Sequence, residues 1–259
     1  MPAPEMYGAF ASVYDRLMAE VDYDAWASHY RALLDTVGVQ DGAAVLEAAC
    51  GTGNLTLRLA RHYEVLPSDA SPEMLSVAAG KARAAGLSLT FLRQDMRQLR
   101  AHRPVDAVVC ACDGVNYLLS EAALKAFLDA AYRALRPGGA LAFDVSSRDK
   151  LSRVLAGQPQ VFRSERLCYL WENAWDSAKS RLSLSLSVFD RQKDGAYRRI
   201  DEEQVQRGWT EAELRAALIK AGFAGIRFFG NFSLKKPAGN AQRLHVCALR
   251  PADEGNNTP

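Results

Sequence analysis

The sequence has no C-x-x-C pair, no internal repeat, no long apolar run and almost no net charge. Its five cysteines (Cys50, Cys110, Cys112, Cys168 and Cys247) are odd in number and scattered. That argues against a disulfide framework and against a zinc site, so no bound metal is expected and the thiols read as ordinary buried ones. No stretch approaches the roughly 20 apolar residues that a membrane span requires. The N-terminus shows no charged region leading into an apolar run, which is the mark of a secretory leader. A cytoplasmic location with no membrane partner is the expectation. The formal net charge is +2 over 259 residues, too even a balance for the electrostatic footprint of a nucleic-acid binder. No nucleic-acid partner is expected.

Hydrophobic residues make up 49% of the chain and charged residues 24%, a composition that can build one α/β domain with room for an insertion. Residues 5–37 read as helical, with Tyr7, Phe10, Tyr14 and Leu17, then Trp26, Tyr30, Leu33, Leu34 and Val37, on stripes at helical spacing. An apolar run over 43–49 ends in Gly51-Thr52-Gly53, a strand followed by a tight turn. A helix over 54–63 and a strand over 64–68 follow. Ser71 and Pro72 open another helix as N-cap and first helical residue. Strands are expected over 87–92, 105–112 and 140–145, with an amphipathic helix through Leu124, Phe127, Leu128, Ala131 and Leu135 that Pro137-Gly138-Gly139 stops. Strand and helix in alternation predict an α/β fold with a doubly wound, mostly parallel, Rossmann-like sheet.

After residue 150 the pattern changes. Leu182, Leu184, Leu186 and Val188 alternate with Ser183, Ser185 and Ser187, which reads as a half-buried antiparallel strand with the serines facing solvent. Lys193-Asp194-Gly195 turns the chain back into 196–207, and 167–175 supplies a further strand. Thr210 and Glu213 form a capping box for a new helix, and 223–230 and 244–249 read as the last strands of the main sheet. The expected organisation is a helical cover over 1–40, a Rossmann-like core over 41–150 and 208–250, an inserted antiparallel sheet over 151–207 that forms an acceptor lid or an interface, and a disordered tail over 251–259.

The strongest chemical signal is Glu47-Ala48-Ala49-Cys50-Gly51-Thr52-Gly53-Asn54. Glycines at a strand end let the backbone approach a ligand closely, and the following helix N-terminus offers free amides. Asp69 stands near the distance of about 20 residues at which an acid takes ribose hydroxyls. A dinucleotide site uses the same device, but its fingerprint wants a third glycine or alanine where this chain has Thr56. Glu47 ahead of the glycines also suits a cationic ligand better than a pyrophosphate.

This run resembles motif I of the class I S-adenosylmethionine-dependent methyltransferases. Four more segments resemble that family's motifs in the expected order: Ser68-Asp69-Ala70-Ser71-Pro72-Glu73-Met74-Leu75, Gln94-Asp95-Met96, Asp113-Gly114-Val115-Asn116-Tyr117-Leu118 and Leu135-Arg136-Pro137-Gly138-Gly139. The N-terminal Tyr7-x-x-Phe10-Ala11-x-x-Tyr14-Asp15 and Asp22-Tyr23-x-x-Trp26 are similar to a small bacterial subgroup related to glycine N-methyltransferases and aminosugar N,N-dimethyltransferases. Pro67-Ser68 and the small Ala48-Ala49 depart from the usual pattern.

The resemblance implies S-adenosyl-L-methionine as cofactor. It places Glu47 toward the methionine end, with Ala49, Gly51 and Gly53 giving close backbone approach. It gives Asp69 the ribose hydroxyls, packs Ala70 and Met74 on the adenine, and assigns the adenine edge to Asp95 and Met96. The backbone near Cys112 would meet the methionine ammonium. Tyr14 and Trp26 read either as aromatics closing over the cofactor or as core side chains of a helix. Asp113, Asn116 and Tyr117, beyond the fourth strand, are candidates for the groups nearest the reacting atoms, with a purely structural role as the alternative.

The expected reaction is in-line transfer of the methyl group to nitrogen, oxygen or sulfur of a small molecule. Positioning does most of the work there and a general base is optional. Trp171, Glu172, Trp175, Asn231 and Arg243 are candidate acceptor contacts; the alternative for the inserted sheet is a homodimer interface. Neither [DNS]-P-P-[YF] nor a P-C nucleophile marks a nucleic-acid base methyltransferase. Methylation of RNA by another route or of a protein, and a non-catalytic cofactor-binding protein, are the competing readings.

Overall fold

In the computed structural model residues 9–253 are described. Tyr7, and the expected disordered tail from residue 254 onward, lie outside the described residues. The helices are α1 (Ala11–Leu17), α2 (Tyr23–Asp35), α3 (Thr56–Leu59), α4 (Pro72–Ala84), α5 (Glu121–Ala134) and α6 (Glu211–Lys220). The strands are β1 (Ala44–Ala48), β2 (Glu64–Asp69), β3 (Leu92–Arg93), β4 (Val105–Cys110), β5 (Leu135–Ser146), β6 (Gln160–Arg163), β7 (Leu167–Asp176), β8 (Arg181–Arg191), β9 (Tyr197–Arg207), β10 (Ala224–Gly230) and β11 (Arg243–Leu249).

Seven strands form one sheet in the order β10-β11-β5-β4-β1-β2-β3. β1 to β5 are mutually parallel, and β11 runs antiparallel to both β5 and β10. The central strands are short and apolar because both faces are covered. On one face Leu46, Val108, Leu141 and Val246 pack against Phe127 and Leu128 of α5 and Leu214 and Leu218 of α6. On the other face Val45, Val109, Ala142 and Cys247 pack against Tyr30, Leu33 and Leu34 of α2 and Leu59 of α3. Strand order reverses between β1 and β4, and crevices for ligands open at the carboxyl ends of strands at such a switch point.

The caps act where the sequence places them. Ser71 Oγ accepts from the Met74 amide with Pro72 in the first turn, and Thr210 and Glu213 close a capping box at α6. Several elements differ from expectation. The single N-terminal helix is two, because Asp22 accepts from the Ala25 amide and starts α2 afresh after a turn. The helix over 54–63 shrinks to the one turn of α3, and the strand over 87–92 to the two residues of β3 at the sheet edge.

A second, four-stranded antiparallel sheet has the order β6-β7-β8-β9. Leu182, Leu184, Leu186 and Val188 are buried while Ser183 and Ser185 are exposed, as strict alternation requires. Its inner face is covered at one end by Phe10, just before α1, and Val13 of α1, and at the other by Leu151 in a π-helical turn over Lys150–Leu155. β6, with all four residues exposed, was not foreseen. Among the described residues no helix is long and apolar enough to cross a membrane.

Candidate active site

A cavity of about 690 Å³ opens at the carboxyl ends of β1, β2 and β4. It gathers Glu47, Ala49, Gly51, Asp69, Ala70, Met74, Asp95, Met96 and Cys112, together with Tyr14 and Tyr117. Ala49 (φ 53°) and Gly51 (φ 55°) both hold left-handed backbone as the chain leaves β1. That is free for the glycine and strained for the alanine.

Asp69 accepts from the Gly51 amide at 2.8 Å and the Ser71 amide at 2.9 Å, so its carboxylate is fixed against the glycine loop. Burial raises its pKa despite those amides. Asp95 caps a 3₁₀ turn over Met96–Gln98, and the Arg97 guanidinium holds its carboxyl below the ordinary range. Glu47 is 2% exposed, and its carboxyl accepts from Thr56 Oγ1 at 2.6 Å. Burial pushes its pKa up to about 8, Thr56 lowers it only in part, the Asp69 charge adds to the rise, and among the described residues no cation is paired with it. A buried acid that faces a cavity and lacks a counter-charge fits a ligand that brings a positive charge.

The opposite wall is tyrosine-rich. Tyr14 and Tyr23 are hydrogen-bonded to each other; burial raises the Tyr14 pKa well above its ordinary value and pushes that of Tyr23 up to about 12. Tyr117 donates to Gln204 Oε1 at 2.6 Å, which ties this wall to β9 of the second sheet. α1 is clasped to the glycine loop by Asp15, which accepts from Thr52 Oγ1 at 2.6 Å, Asn54 Nδ2 at 2.9 Å and Lys81 Nζ at 2.7 Å.

Other residues singled out in the sequence do not line this cavity. Gly53 (φ 77°) serves packing, because a Cβ there would lie 2.9 Å from the Ala78 Cβ. Trp26 belongs to the core beside Tyr30, edge-on to Phe232 and with the Arg243 guanidinium over its ring. Asp113 is spent on Arg243, at 2.7 and 3.1 Å, and on the Ser146 amide. Asn116 is fully buried, donating to the Ser146 and Arg207 carbonyls and accepting from the Ser146 amide. Of the acceptor candidates, Arg243 is consumed by Asp113 and Asp144. Asn231 accepts from the Gln242 and Arg243 amides and closes the β10–β11 connection. Trp171 and Trp175 pack on the inner face of the second sheet with Leu151, Leu182 and Leu184, and Glu172 points out to solvent.

Sequence reasoning gave no site role to Tyr23, Asn54, Gln204 or Asp144. Tyr23 stood in a quoted motif without an assignment. Asp144 left one signal, an acid inside the apolar strand Ala140–Val145.

A family model described as a methyltransferase domain matches residues 45–139. A methyltransferase of Geobacillus sp. (strain WCH70) is 33% identical over 247 residues, covering 94% of this chain and 99% of its own. The glycine/sarcosine N-methyltransferase of Halorhodospira halochloris is 30% identical over 149 residues, 56% of this chain and 54% of its own. Among solved structures, an S-adenosylmethionine-dependent methyltransferase from Clostridium acetobutylicum superposes with a TM-score of 0.84 at 30% identity, covering 95% of this chain and 99% of that one. Full-length kinship of this kind, together with the switch-point cavity and the buried acid that faces it, makes the chain a member of the class I S-adenosylmethionine-dependent methyltransferases.

Proposed function

We propose that the protein methylates a nitrogen of a small-molecule amine. When bound, S-adenosylmethionine supplies a methyl group already activated by the sulfonium. The chain's task is then to align donor and acceptor and to keep water out. Asp69 would hold the ribose, and Asp95 with Met96 the adenine edge. Glu47 and the backbone of Ala111–Cys112 would hold the cationic amino-acid end.

The observation that carries the choice of nitrogen is what the tyrosine wall lacks. Among the described residues that line the cavity there is no histidine and no lysine. Burial raises the Tyr14 and Tyr23 hydroxyls and the Cys112 thiol away from neutral pH. No group on that wall is therefore poised to take a proton from a hydroxyl near pH 7, and Glu47, whose pKa burial brings to about 8, is assigned to the cationic end of the cofactor. An amine with a neutral fraction brings its own lone pair and needs no such base. The glycine/sarcosine N-methyltransferase relative agrees with this reading by its name.

The test is transfer of labelled methyl from S-adenosylmethionine to matched panels of small primary and secondary amines, alcohols and thiols. Product should form with amines, and its rate should rise with pH as the amine loses its proton. Turnover of alcohols or thiols in preference to amines would overturn the assignment, and methylation of RNA or protein alone would overturn the small-molecule reading.

A further inference from the structure

Behind the cavity wall, two consecutive residues with side chains hold backbone that is normally left to glycine. Cys112 has φ 57° and Asp113 φ 69°, and both must be held there by their surroundings. What holds them is one carboxylate. Asp144 Oδ1 accepts from the Cys112 amide at 2.8 Å and Oδ2 from the Asp113 amide at 3.2 Å. Consecutive amides in such a turn form a concave anion site, and here a residue of β5 fills it.

The carboxylate is itself supported from two sides. Tyr30 of α2 donates its hydroxyl to Asp144 Oδ1 at 2.8 Å. Arg243 of β11 bonds Asp144 and, through both terminal nitrogens, Asp113. Asp144 is fully buried in a strand whose other residues from Ala140 to Val145 are apolar. A buried charge costs stability compared with a packed apolar residue, so packing alone does not account for an acid at this position.

The backbone it restrains is part of the cavity. Ala111 and Cys112 line it together with Tyr14, Tyr23 and Glu47. Gly114, the next residue but one, has no room for a Cβ, which would sit 2.6 Å from Cys110 Sγ. The turn is therefore fixed from behind by the carboxylate and from below by packing.

We propose that Asp144, held by Tyr30 and Arg243, is a positioning residue for the cofactor, fixing the left-handed turn at Cys112–Asp113 against which the amino-acid end of S-adenosylmethionine rests. The inference rests on the placement of that end proposed above. Asp144 touches neither reactant; it acts through the two amides.

The experiment is calorimetric titration of the full chain with S-adenosylhomocysteine and with 5′-methylthioadenosine, which keeps the adenosine and lacks the amino-acid moiety. Asp144→Asn keeps the shape and removes the charge. It should weaken S-adenosylhomocysteine about 10–100-fold, the range for losing an outer partner that orients a ligand-holding group, and change methylthioadenosine less than about threefold. Tyr30→Phe, which removes a single donor from the carboxylate, should act in the same direction by about threefold, and it carries the test if Asp144→Asn does not fold. Equal losses for both ligands, or no loss for either, would overturn the proposal and leave Asp144 a brace of the fold. Glu47→Gln separates the clamp from the placement. If Glu47→Gln discriminates between the two ligands and Asp144→Asn does not, the clamp alone fails. If neither variant discriminates, the placement fails and the clamp with it.

Discussion

Asp15 and Lys81 stand 66 residues apart and form a 2.7 Å ion pair that fastens α1 to α4. The same carboxylate receives Thr52 and Asn54, both of which line the cofactor cavity. A partly exposed ion pair alone contributes about 0–1 kcal/mol, but hydrogen bonds to a charged group add about 1.5–3 kcal/mol. Asp15→Ala should therefore destabilise the protein by about 1–3 kcal/mol. It should also weaken S-adenosylhomocysteine binding, and speed hydrogen exchange across α1 in the bound state.

The pH dependence of that contribution has a definite sign. Burial works to raise the Asp15 pKa, but Lys81, Thr52 and Asn54 together outweigh it and hold the carboxyl below its ordinary value. A depressed carboxyl stabilises the fold above its unfolded pKa and ceases to do so as pH falls through the folded one. The difference in melting temperature between wild type and Asp15→Ala should be constant around neutral pH and vanish only below the ordinary carboxylate range. A difference that peaks in acid would contradict the clasp.

Glu47 predicts the opposite trend. Its folded pKa is raised from 4.5 to about 8, burial being the main cause. Its contribution to the stability of the ligand-free protein is thus fully present below pH 4.5 and is lost as pH rises toward 8. The ligand-free wild type should lose melting temperature between pH 4.5 and about 8 relative to Glu47→Gln, which does not titrate. A cationic ligand prefers the ionised form, so S-adenosylmethionine should bind wild type more tightly as pH rises over that window. Parallel curves for the two proteins would remove Glu47 from this role.

What could be read from the sequence was what is local to a strand end. Glu47, Gly51, Asp69, Met74, Asp95 and Met96 each lie within a few residues of the carboxyl end of a strand, and once the strands are parallel the fold brings those ends to one edge. Contacts between distant segments were not legible. Asp113 lies at the expected edge, yet its partner Arg243 is 130 residues away on an antiparallel strand, and the pair lies behind the cavity instead of in it. The stripe through Phe10, Tyr14 and Leu17 and the stripe through Trp26, Tyr30 and Leu33 share the helical period but fall on roughly opposite faces, a jump in phase that the period alone passes over and that Asp22 makes by starting a second helix. Alternation located β8 and which of its faces is buried, but not that Trp171 and Trp175 turn toward Leu184 on that face.

Gly53 and Gly51 separate packing from ligand approach within three residues. At Gly53 an added methyl meets the Ala78 Cβ at 2.9 Å in a backbone with φ 77°, whereas at Gly51 nothing lies within 4 Å. Gly53→Ala should destabilise the fold by about 1–3 kcal/mol, the cost of left-handed strain with added overpacking. The fraction that remains folded should bind S-adenosylhomocysteine nearly as wild type does. Gly51→Ala should show the reverse balance, with a smaller loss of stability and a larger loss of affinity. Thermal unfolding and calorimetry on the two variants check this; equal losses on both measures would merge roles that the geometry keeps apart.

Tyr117 and Gln204 are the hydrogen bond through which the second sheet reaches the cavity. The Tyr117 hydroxyl donates to Gln204 Oε1 at 2.6 Å, and Gln204 Nε2 in turn reaches Glu202 Oε1 at 3.4 Å on the same strand. Asn116, one residue earlier, is pinned to the Arg207 carbonyl at the end of β9. The turn over Gly114–Tyr117 is thus held by β9 through both Asn116 and Tyr117, and of these two residues Tyr117 lines the cavity. Gln204→Leu would remove the Gln204 bond of the tyrosine hydroxyl while keeping a side chain of similar size, and losing such a bond costs about 0.5–1.5 kcal/mol. With an amine identified by the labelled-methyl panel, Gln204→Leu and Tyr117→Phe should raise its KM about 3–10-fold, the kinetic equivalent of that energy. S-adenosylhomocysteine affinity should stay within about twofold, because Asp69 and Asp95, proposed above to hold the adenosine, are untouched. Asn116→Ala, by contrast, removes a fully buried network and should lower the melting temperature before any kinetic effect can be read. If Gln204→Leu weakens the cofactor as much as the amine, β9 braces the whole cavity instead of its acceptor wall, and acceptor choice must be sought among Tyr14, Tyr23 and Leu118.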